Sequence, residues 1–159
     1  MGIYRIAEIC LNGHVTTSLA DTMPQFRENY CSRCGEATIT KCPNCYASIR
    51  GSYDDPERLH LPKYNRPSFC HNCGKPFPWT ERSMQAANEL IASTGKFGEL
   101  ELTQFKTDID SLMKDTPQTK VASFRVKTIL GKVGKEIAFG VRDILVDIVS
   151  ETAKKAIWG

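Results

Sequence analysis

Residues 30–47 read Y-C-S-R-C-G-E-A-T-I-T-K-C-P-N-C-Y-A and contain two C-x-x-C motifs with seven residues between them. Moving outward, a third C-x-x-C motif lies at Cys70 and Cys73, and Cys10 is followed four positions later by His14. The four pairs supply eight thiol or imidazole groups, and a tetrahedral zinc ion takes four. We therefore expect two zinc ions per chain. The candidate metal ligands are Cys10, His14, Cys31, Cys34, Cys42, Cys45, Cys70 and Cys73.

The spacing within each pair has a physical cause. Two thiolates three positions apart can approach one ion when the residues between them form a tight turn, whose backbone N–H groups donate to the sulfurs. Gly35 and Gly74 directly follow two of the motifs, where such a turn often requires a positive φ. Pro43 lies inside another motif, where its fixed φ suits a turn.

Three other uses of cysteine compete with zinc. Disulfides are disfavoured because seven is an odd number and because Met1–Leu11, which holds Arg5 and Glu8, does not form a secretion signal. A thioredoxin-like redox motif requires one C-x-x-C after a strand of a βαβ unit, whereas three copies occur here among turn residues. An iron–sulfur cluster also binds thiolates. The one histidine among the eight candidate ligands, and the glycines that follow two of the motifs, favour zinc.

The order of the pairs predicts which ligands share an ion. A sequential arrangement places the first two pairs on one zinc ion and the last two on the other. The gaps inside these sites are 16 and 24 residues long, which leaves room for a strand to leave the metal and another to return as a hairpin. An interleaved cross-brace, which joins the first pair to the third and the second to the fourth, remains open.

Four motifs are typical of zinc-ribbon knuckles: C-L-N-G-H-V, Y-C-S-R-C-G, C-P-N-C-Y-A-S-I-R-G and F-C-H-N-C-G-K-P-F-P-W. Over residues 6–81 the chain resembles a family of uncharacterised bacterial double zinc-ribbon proteins, which carry a helical tail after the F-P-W-T-E stretch. The resemblance implies tandem zinc ribbons made of short β-hairpins and knuckles. It implies no activity.

The ligand count predicts structural rather than catalytic zinc. Catalytic zinc keeps a coordination position open for water, whereas eight ligands close two sites. His60 and His71 are alternative ligands, although we expect both to be exposed loop residues. The chain has no H-x-E…P-C-x-x-C deaminase pattern, no phosphate-binding loop and no nucleophile elbow. We therefore expect no catalytic residues, no organic cofactor and no enzyme activity.

The net charge gives weak support for nucleic-acid binding. It is +3 when the cysteines are counted as neutral. Zinc ligation deprotonates thiols, and seven thiolates with two zinc ions bring the charge of the zinc-bound chain to zero. Basic residues of the first half, such as Arg33, Arg50 and Arg66, are interleaved with acids. Nucleic-acid binding therefore stays as the alternative function.

The second half has helical periodicity. The pattern predicts a helix that Thr80 caps and that ends near Gly95, and a second helix from about Glu99 to Lys114. A third segment contains V-A-S-F-R-V, residues 121–126, which is compatible with a helix or a strand.

The strongest periodic signal runs from Lys132 to Trp158 and predicts one long amphipathic helix of about 40 Å. We expect its apolar stripe to exceed what the other short helices of the chain can cover. It could pack in a small bundle, meet a second copy or a partner protein, or bind a membrane surface. The stripe comprises Val133, Ile137, Val141, Ile144, Leu145, Ile148, Val149, Ala153 and Ile157.

Together these patterns predict a small α+β protein, with a double zinc-ribbon domain at residues 1–79 and a helical region at 80–159. No apolar run reaches the ~18 residues that span a bilayer, and we expect a cytoplasmic location. The leading hypothesis is a non-enzymatic adaptor whose C-terminal helix mediates self-association or partner binding. Nucleic-acid binding and a membrane-active effector are the alternatives.

Overall fold

The computed structural model describes all 159 residues and divides into two compact units, Met1–Glu81 and Arg82–Gly159. Short antiparallel strands form the first part of the chain, and five α-helices form the last part. The predicted small α+β class is therefore confirmed. No helix has the length and apolar content needed to cross a membrane.

Two small antiparallel sheets build the first unit. The strands are β1 (Ile3–Ile6), β2 (Glu8–Cys10), β3 (Val15–Thr17), β4 (Thr38–Ile39) and β5 (Arg50–Asp54). In one sheet β1 pairs with β5, and in the other the strand order is β3-β2-β4. One turn of 3₁₀ helix, Pro24–Phe26, lies between β3 and β4.

The strand pairing differs from the predicted ribbons. Strand β5 follows the third cysteine pair along the chain, as a ribbon requires. Its partner is β1, however, and Tyr4 is opposite Tyr53 in this pairing. The returning residue Phe69 instead bridges Pro76 across the last cysteine pair. In the first site β3 pairs with β2 across the turn from Cys10 to His14, and Tyr30 bridges Ala37. The predicted out-and-back hairpin therefore forms in neither site.

The core of the first unit combines apolar side chains with cysteines. Phe77 and Trp79 stack with ring centroids 4.6 Å apart, and the Trp79 indole donates to the Pro67 carbonyl oxygen at 3.0 Å. Cys42 and Cys70 are buried in the same cluster. Cores of this size usually need an additional staple such as a structural metal.

The five helices match the predicted number of helical segments only in part. Residues 121–126 are helical, and Thr80 lies inside the first turn of a helix that begins at Pro78, so it is not the N-cap. The helices are α1 (Pro78–Ala92), α2 (Glu99–Leu112), α3 (Gln118–Gly131), α4 (Lys135–Leu145) and α5 (Glu151–Trp158).

An ion pair between a buried aspartate and a half-exposed arginine joins α2 to α3. The Asp108 side chain is 3% exposed, and its carboxylate accepts hydrogen bonds from Arg125 Nε at 3.0 Å and Nη2 at 2.8 Å. Gln104 donates to the same carboxylate at 3.0 Å. Buried Phe105, Ile109 and Val126 supply the apolar part of this packing.

The prediction of one long C-terminal helix is wrong. Helix α4 ends at Leu145, and Ser150 starts α5 as an N-cap whose hydroxyl accepts from the Ala153 N–H at 3.2 Å. The Ser150 N–H donates to the Leu112 carbonyl oxygen at 2.9 Å, which fixes the break against the end of α2.

Most of the predicted stripe is buried within the helical unit. Ile148 and Val149, which lie in the break between the two helices, are buried. Val141, Leu145 and Ile157 on the helices themselves are buried as well. The chain thus covers the apolar surface that motivated association or membrane binding through this segment.

Candidate metal centres

The structure brings the eight predicted ligands together in two clusters, in the sequential arrangement. One contains Cys10, His14, Cys31 and Cys34, and the other contains Cys42, Cys45, Cys70 and Cys73. Within each cluster the ligand atoms all lie within 4.8 Å of one another. The interleaved cross-brace is therefore not the arrangement of this chain.

The distances in the first cluster match the edges of a tetrahedron around zinc. Bonds of about 2.3 Å to sulfur and 2.0–2.1 Å to nitrogen give edges of about 3.8 Å for two sulfurs and about 3.5 Å for sulfur and nitrogen. The Cys10 and Cys34 sulfurs are 3.7 Å apart. His14 Nδ1 lies 3.5 Å from the sulfurs of both Cys10 and Cys31, which makes Nδ1 the ligand atom.

The second cluster has the same dimensions with four sulfurs. Cys42 Sγ is 3.8 Å from Cys73 Sγ, and Cys45 Sγ is 3.6 Å from Cys70 Sγ. A disulfide would hold its sulfurs about 2.05 Å apart. A multi-iron cluster would need space between its ligands for several atoms. The geometry fits one ion in each cluster, and Cys₃His and Cys₄ are zinc donor sets.

The three C-x-x-C turns share one backbone geometry. In each, the N–H of the first cysteine donates to the carbonyl oxygen five residues later, and the N–H four residues later donates back to the carbonyl oxygen of the first cysteine. A β-bridge closes each turn, for example between Tyr30 and Ala37. This repetition explains why the spacing alone identified the sites.

The residue that follows each C-x-x-C motif has a positive φ. Gly35 and Gly74 have φ values of 76° and 74°, as the sequence predicts, and Tyr46 has 63° in the remaining turn. Tyr46 is the one non-glycine residue of the chain with a positive φ. Its side chain is 75% exposed.

Gly13 completes the turn between Cys10 and His14, although the sequence analysis did not single it out. Its φ is 91°, and its N–H donates to the Cys10 carbonyl oxygen at 2.9 Å. A Cβ at this position would lie 2.9 Å from both the Arg66 guanidinium and Trp79 Cβ. Arg66 Nη1 also donates to the Gly13 carbonyl oxygen at 2.7 Å. The glycine in the motif C-L-N-G-H is the sequence feature from which this turn could have been predicted.

Hydrogen bonds donated to sulfur lower the pKa of the outer thiols. The N–H of Glu36 and the side chain of Asn12 lower the pKa of Cys34 to about 6. The N–H of Lys75, followed by Asn44, does the same for Cys73. These donors favour the thiolate, the form that ligates metal.

Burial acts in the opposite direction on the inner cysteines. It raises the pKa of Cys42 to about 11, and it also raises the pKa of Cys10. These thiols lie in the core, where an uncompensated thiolate is costly and a cation supplies the missing charge.

Asparagine side chains connect the paired motifs. Asn12, in the first motif, donates to Cys34 Sγ of the second at 3.4 Å. In the other cluster Asn44 and Asn72 donate across to the sulfurs of Cys73 and Cys45, which lowers the pKa of both thiols. Such outer contacts orient metal ligands.

A family model matches residues 3–157, and its description is an uncharacterized protein conserved in bacteria, DUF2321. The chain belongs to this bacterial family. Comparisons with curated proteins and with solved structures found no match. The family match thus covers the two metal clusters and nearly all of the helical part.

The remaining histidines of this family member stay outside both clusters. His60 and His71 are exposed, and neither contributes an atom to a group of metal ligands. The expectation that they are loop residues is confirmed.

Glu8 supports the first cluster and was missed by the sequence analysis. Its buried carboxylate accepts from Thr16 Oγ1 at 2.8 Å, Arg27 Nε at 2.8 Å and the Glu28 N–H at 2.7 Å. Burial alone would raise the pKa of Glu8, but these hydrogen bonds outweigh it and lower the pKa. An acidic residue inside the otherwise apolar run I-A-E-I-C is the sequence feature that could have indicated a buried, hydrogen-bonded carboxylate.

Proposed function

We propose that this protein is a non-enzymatic, zinc-binding interaction protein of the bacterial cytoplasm, in which two zinc ions shape a double-ribbon unit and the helical unit binds a partner protein. Four ligands for each ion leave no position for a reacting water, which supports a structural role. The observation that carries the interaction is an exposed apolar groove between α2 and α3.

The groove has a volume of about 370 Å³. Its floor is buried Phe105, and its walls carry Leu100 and Phe124, whose side chains are 87% and 74% exposed. The Asp108–Arg125 ion pair lies in the lining and ties the two walls together. Large apolar side chains exposed around a preformed groove are typical of a protein-binding surface.

Charge on α3 indicates the chemistry of the partner. This helix contains three basic residues and no acidic residue. Arg125 is paired with Asp108, whereas Lys120 and Lys127 are exposed and form no ion pair. We therefore assign the groove to a partner segment that places an apolar side chain between Leu100 and Phe124 and carries carboxylates toward α3.

Site-specific photocrosslinking in cells tests this assignment. A photoreactive amino acid at position 124 should give a discrete protein adduct, and Leu100→Ser should abolish it. Phe139 is the matched control, because it is an exposed phenylalanine on α4 that does not line the groove. The double variant Lys120→Gln/Lys127→Gln should weaken the adduct at low salt, and its difference from the wild type should shrink as the salt concentration rises.

Three results would contradict the proposal. The first is the absence of an adduct at position 124. The second is an equal adduct at position 139, which would indicate general stickiness. The third is an adduct with a second copy of this chain, together with a dimer in light scattering, which would replace the partner protein by self-association.

A further inference from the structure

A second cleft lies on the metal-binding unit, and aromatic side chains dominate it. Its volume is about 320 Å³. Tyr4, Tyr53 and Tyr64 line it, together with Pro62 and Pro67. Tyr4 and Tyr53 meet edge to face with ring centroids 5.0 Å apart, which fixes both rings.

The same cleft is basic. Arg50 and Lys63 line it, neither forms an ion pair, and no carboxylate contributes to the lining. The nearest acid along β5, Asp54, is already engaged by Arg5 at 2.7 Å. No carboxylate of the cleft therefore competes with a ligand for Arg50 and Lys63.

Arg50 is held in position from two sides. Its guanidinium carbon lies 4.4 Å from the centroid of the Tyr4 ring. Its carbonyl oxygen accepts from the Tyr64 hydroxyl at 2.6 Å. A guanidinium held over a ring face can stack on a base or pair with a phosphate, and little side-chain freedom is lost when it does so.

From this combination we infer that the cleft binds a single-stranded nucleic acid, with a base stacked among the tyrosines and Arg50, and phosphate groups next to Arg50 and Lys63. Aromatic platforms beside unpaired cations are the recognition chemistry of single strands. Bases in a duplex are stacked on one another and cannot offer their faces to tyrosine. This function is independent of the α2/α3 groove.

Fluorescence anisotropy on the zinc-loaded full chain tests the inference, with short fluorescein-labelled oligothymidylate and oligouridylate as probes. The double variant Arg50→Gln/Lys63→Gln should lose at least about tenfold in affinity. Its plot of log affinity against log salt should flatten by about 1.4, since each phosphate contact to a single strand contributes about 0.7. Tyr53→Leu should lose about tenfold and leave the slope unchanged, because stacking is not screened by salt.

Arg33→Gln/Lys41→Gln is the matched control. It removes the same charge from exposed residues of the same unit that do not line the cleft. Equal zinc content and equal tryptophan emission, which reports buried Trp79 in the same unit, exclude misfolding of a variant as the cause.

Four outcomes would overturn the inference. They are no binding at low salt, an equal loss for the control variant, equal binding of a duplex, and competition by thymidine monophosphate that equals competition by the unlabelled strand. The last outcome would reassign the cleft to a free nucleotide.

Discussion

Tyr46 and Gly35 occupy the same position in successive C-x-x-C turns, and both have a positive φ, 63° and 76°. In each case the N–H donates to the carbonyl oxygen of the first cysteine, Cys42 or Cys31, at 2.8 and 2.7 Å. An L-residue with a side chain pays roughly 1–2 kcal/mol for this conformation, whereas glycine does not. The turn at Cys42 thus carries backbone strain at an exposed tyrosine.

Substitution at Tyr46 should reveal this strain. Tyr46→Gly should be more stable than Tyr46→Ala by about 1 kcal/mol, although glycine usually destabilises relative to alanine. Both variants remove the ring, so the comparison isolates the backbone. Urea unfolding of the zinc-loaded chain, followed by intrinsic fluorescence, measures the difference. Equal stability of the two variants would show that the turn is unstrained.

Removal of zinc should unfold the first unit and spare the helical one. Trp79 is fully buried beside Phe77 in the core that contains Cys42 and Cys70, whereas the helical unit packs around its own apolar residues. In a Trp158→Phe variant, chelation should shift the Trp79 emission to the red. The helical ellipticity should keep most of its value. Unchanged Trp79 emission after complete removal of the metal would contradict a metal-dependent fold.

Glu8→Gln should destabilise the protein by about 2 kcal/mol near neutral pH, because Arg27 and the Glu28 N–H lose a charged acceptor. The folded-state pKa of Glu8 is lowered, so its stabilising effect is present above its unfolded value of about 4.3 and is lost as the pH falls through the folded value. The difference between wild type and variant in urea unfolding should therefore shrink below about pH 4. Glu57→Gln, at an exposed site, is the control. A difference that persists in acid would exclude this linkage.

The break between α4 and α5 can be tested with proline. Glu151 is exposed and is the first residue of α5, directly after the N-cap Ser150, whose ψ of 158° suits a following proline. Glu151→Pro should change the free energy of unfolding by no more than about 0.5 kcal/mol. Arg142→Pro, inside α4, should cost about 3 kcal/mol. A comparable loss at both positions would indicate one continuous helix.

The sequence predicted those features of the fold that depend on residues close to one another along the chain. Each pair of ligands is held by a turn of a few residues, so its spacing, Gly35 and Gly74 identified the site directly. The linkage between pairs was predicted only as the preferred of two arrangements: the sequential one is correct, but the hairpins on which that preference depended do not form.

The sequence did not predict those features of the fold that depend on contacts between residues far apart along the chain. Nothing near β5 states that it pairs with β1, and nothing near Glu8 names Arg27 as its partner. Hydrophobic periodicity continues through Asp147–Ser150, so it missed the break that the Ser150 cap and the Leu112 carbonyl oxygen enforce. Local capping chemistry there overrides the helical period.

X-ray absorption at the zinc edge, combined with elemental analysis of the purified chain, tests the central claim most directly. We predict two zinc ions per chain that share seven sulfur ligands and one nitrogen ligand, with zinc–sulfur distances of about 2.3 Å and no oxygen ligand. A chain that holds one zinc ion or none, or a spectrum that requires a bound water, would contradict the assignment of two closed structural sites.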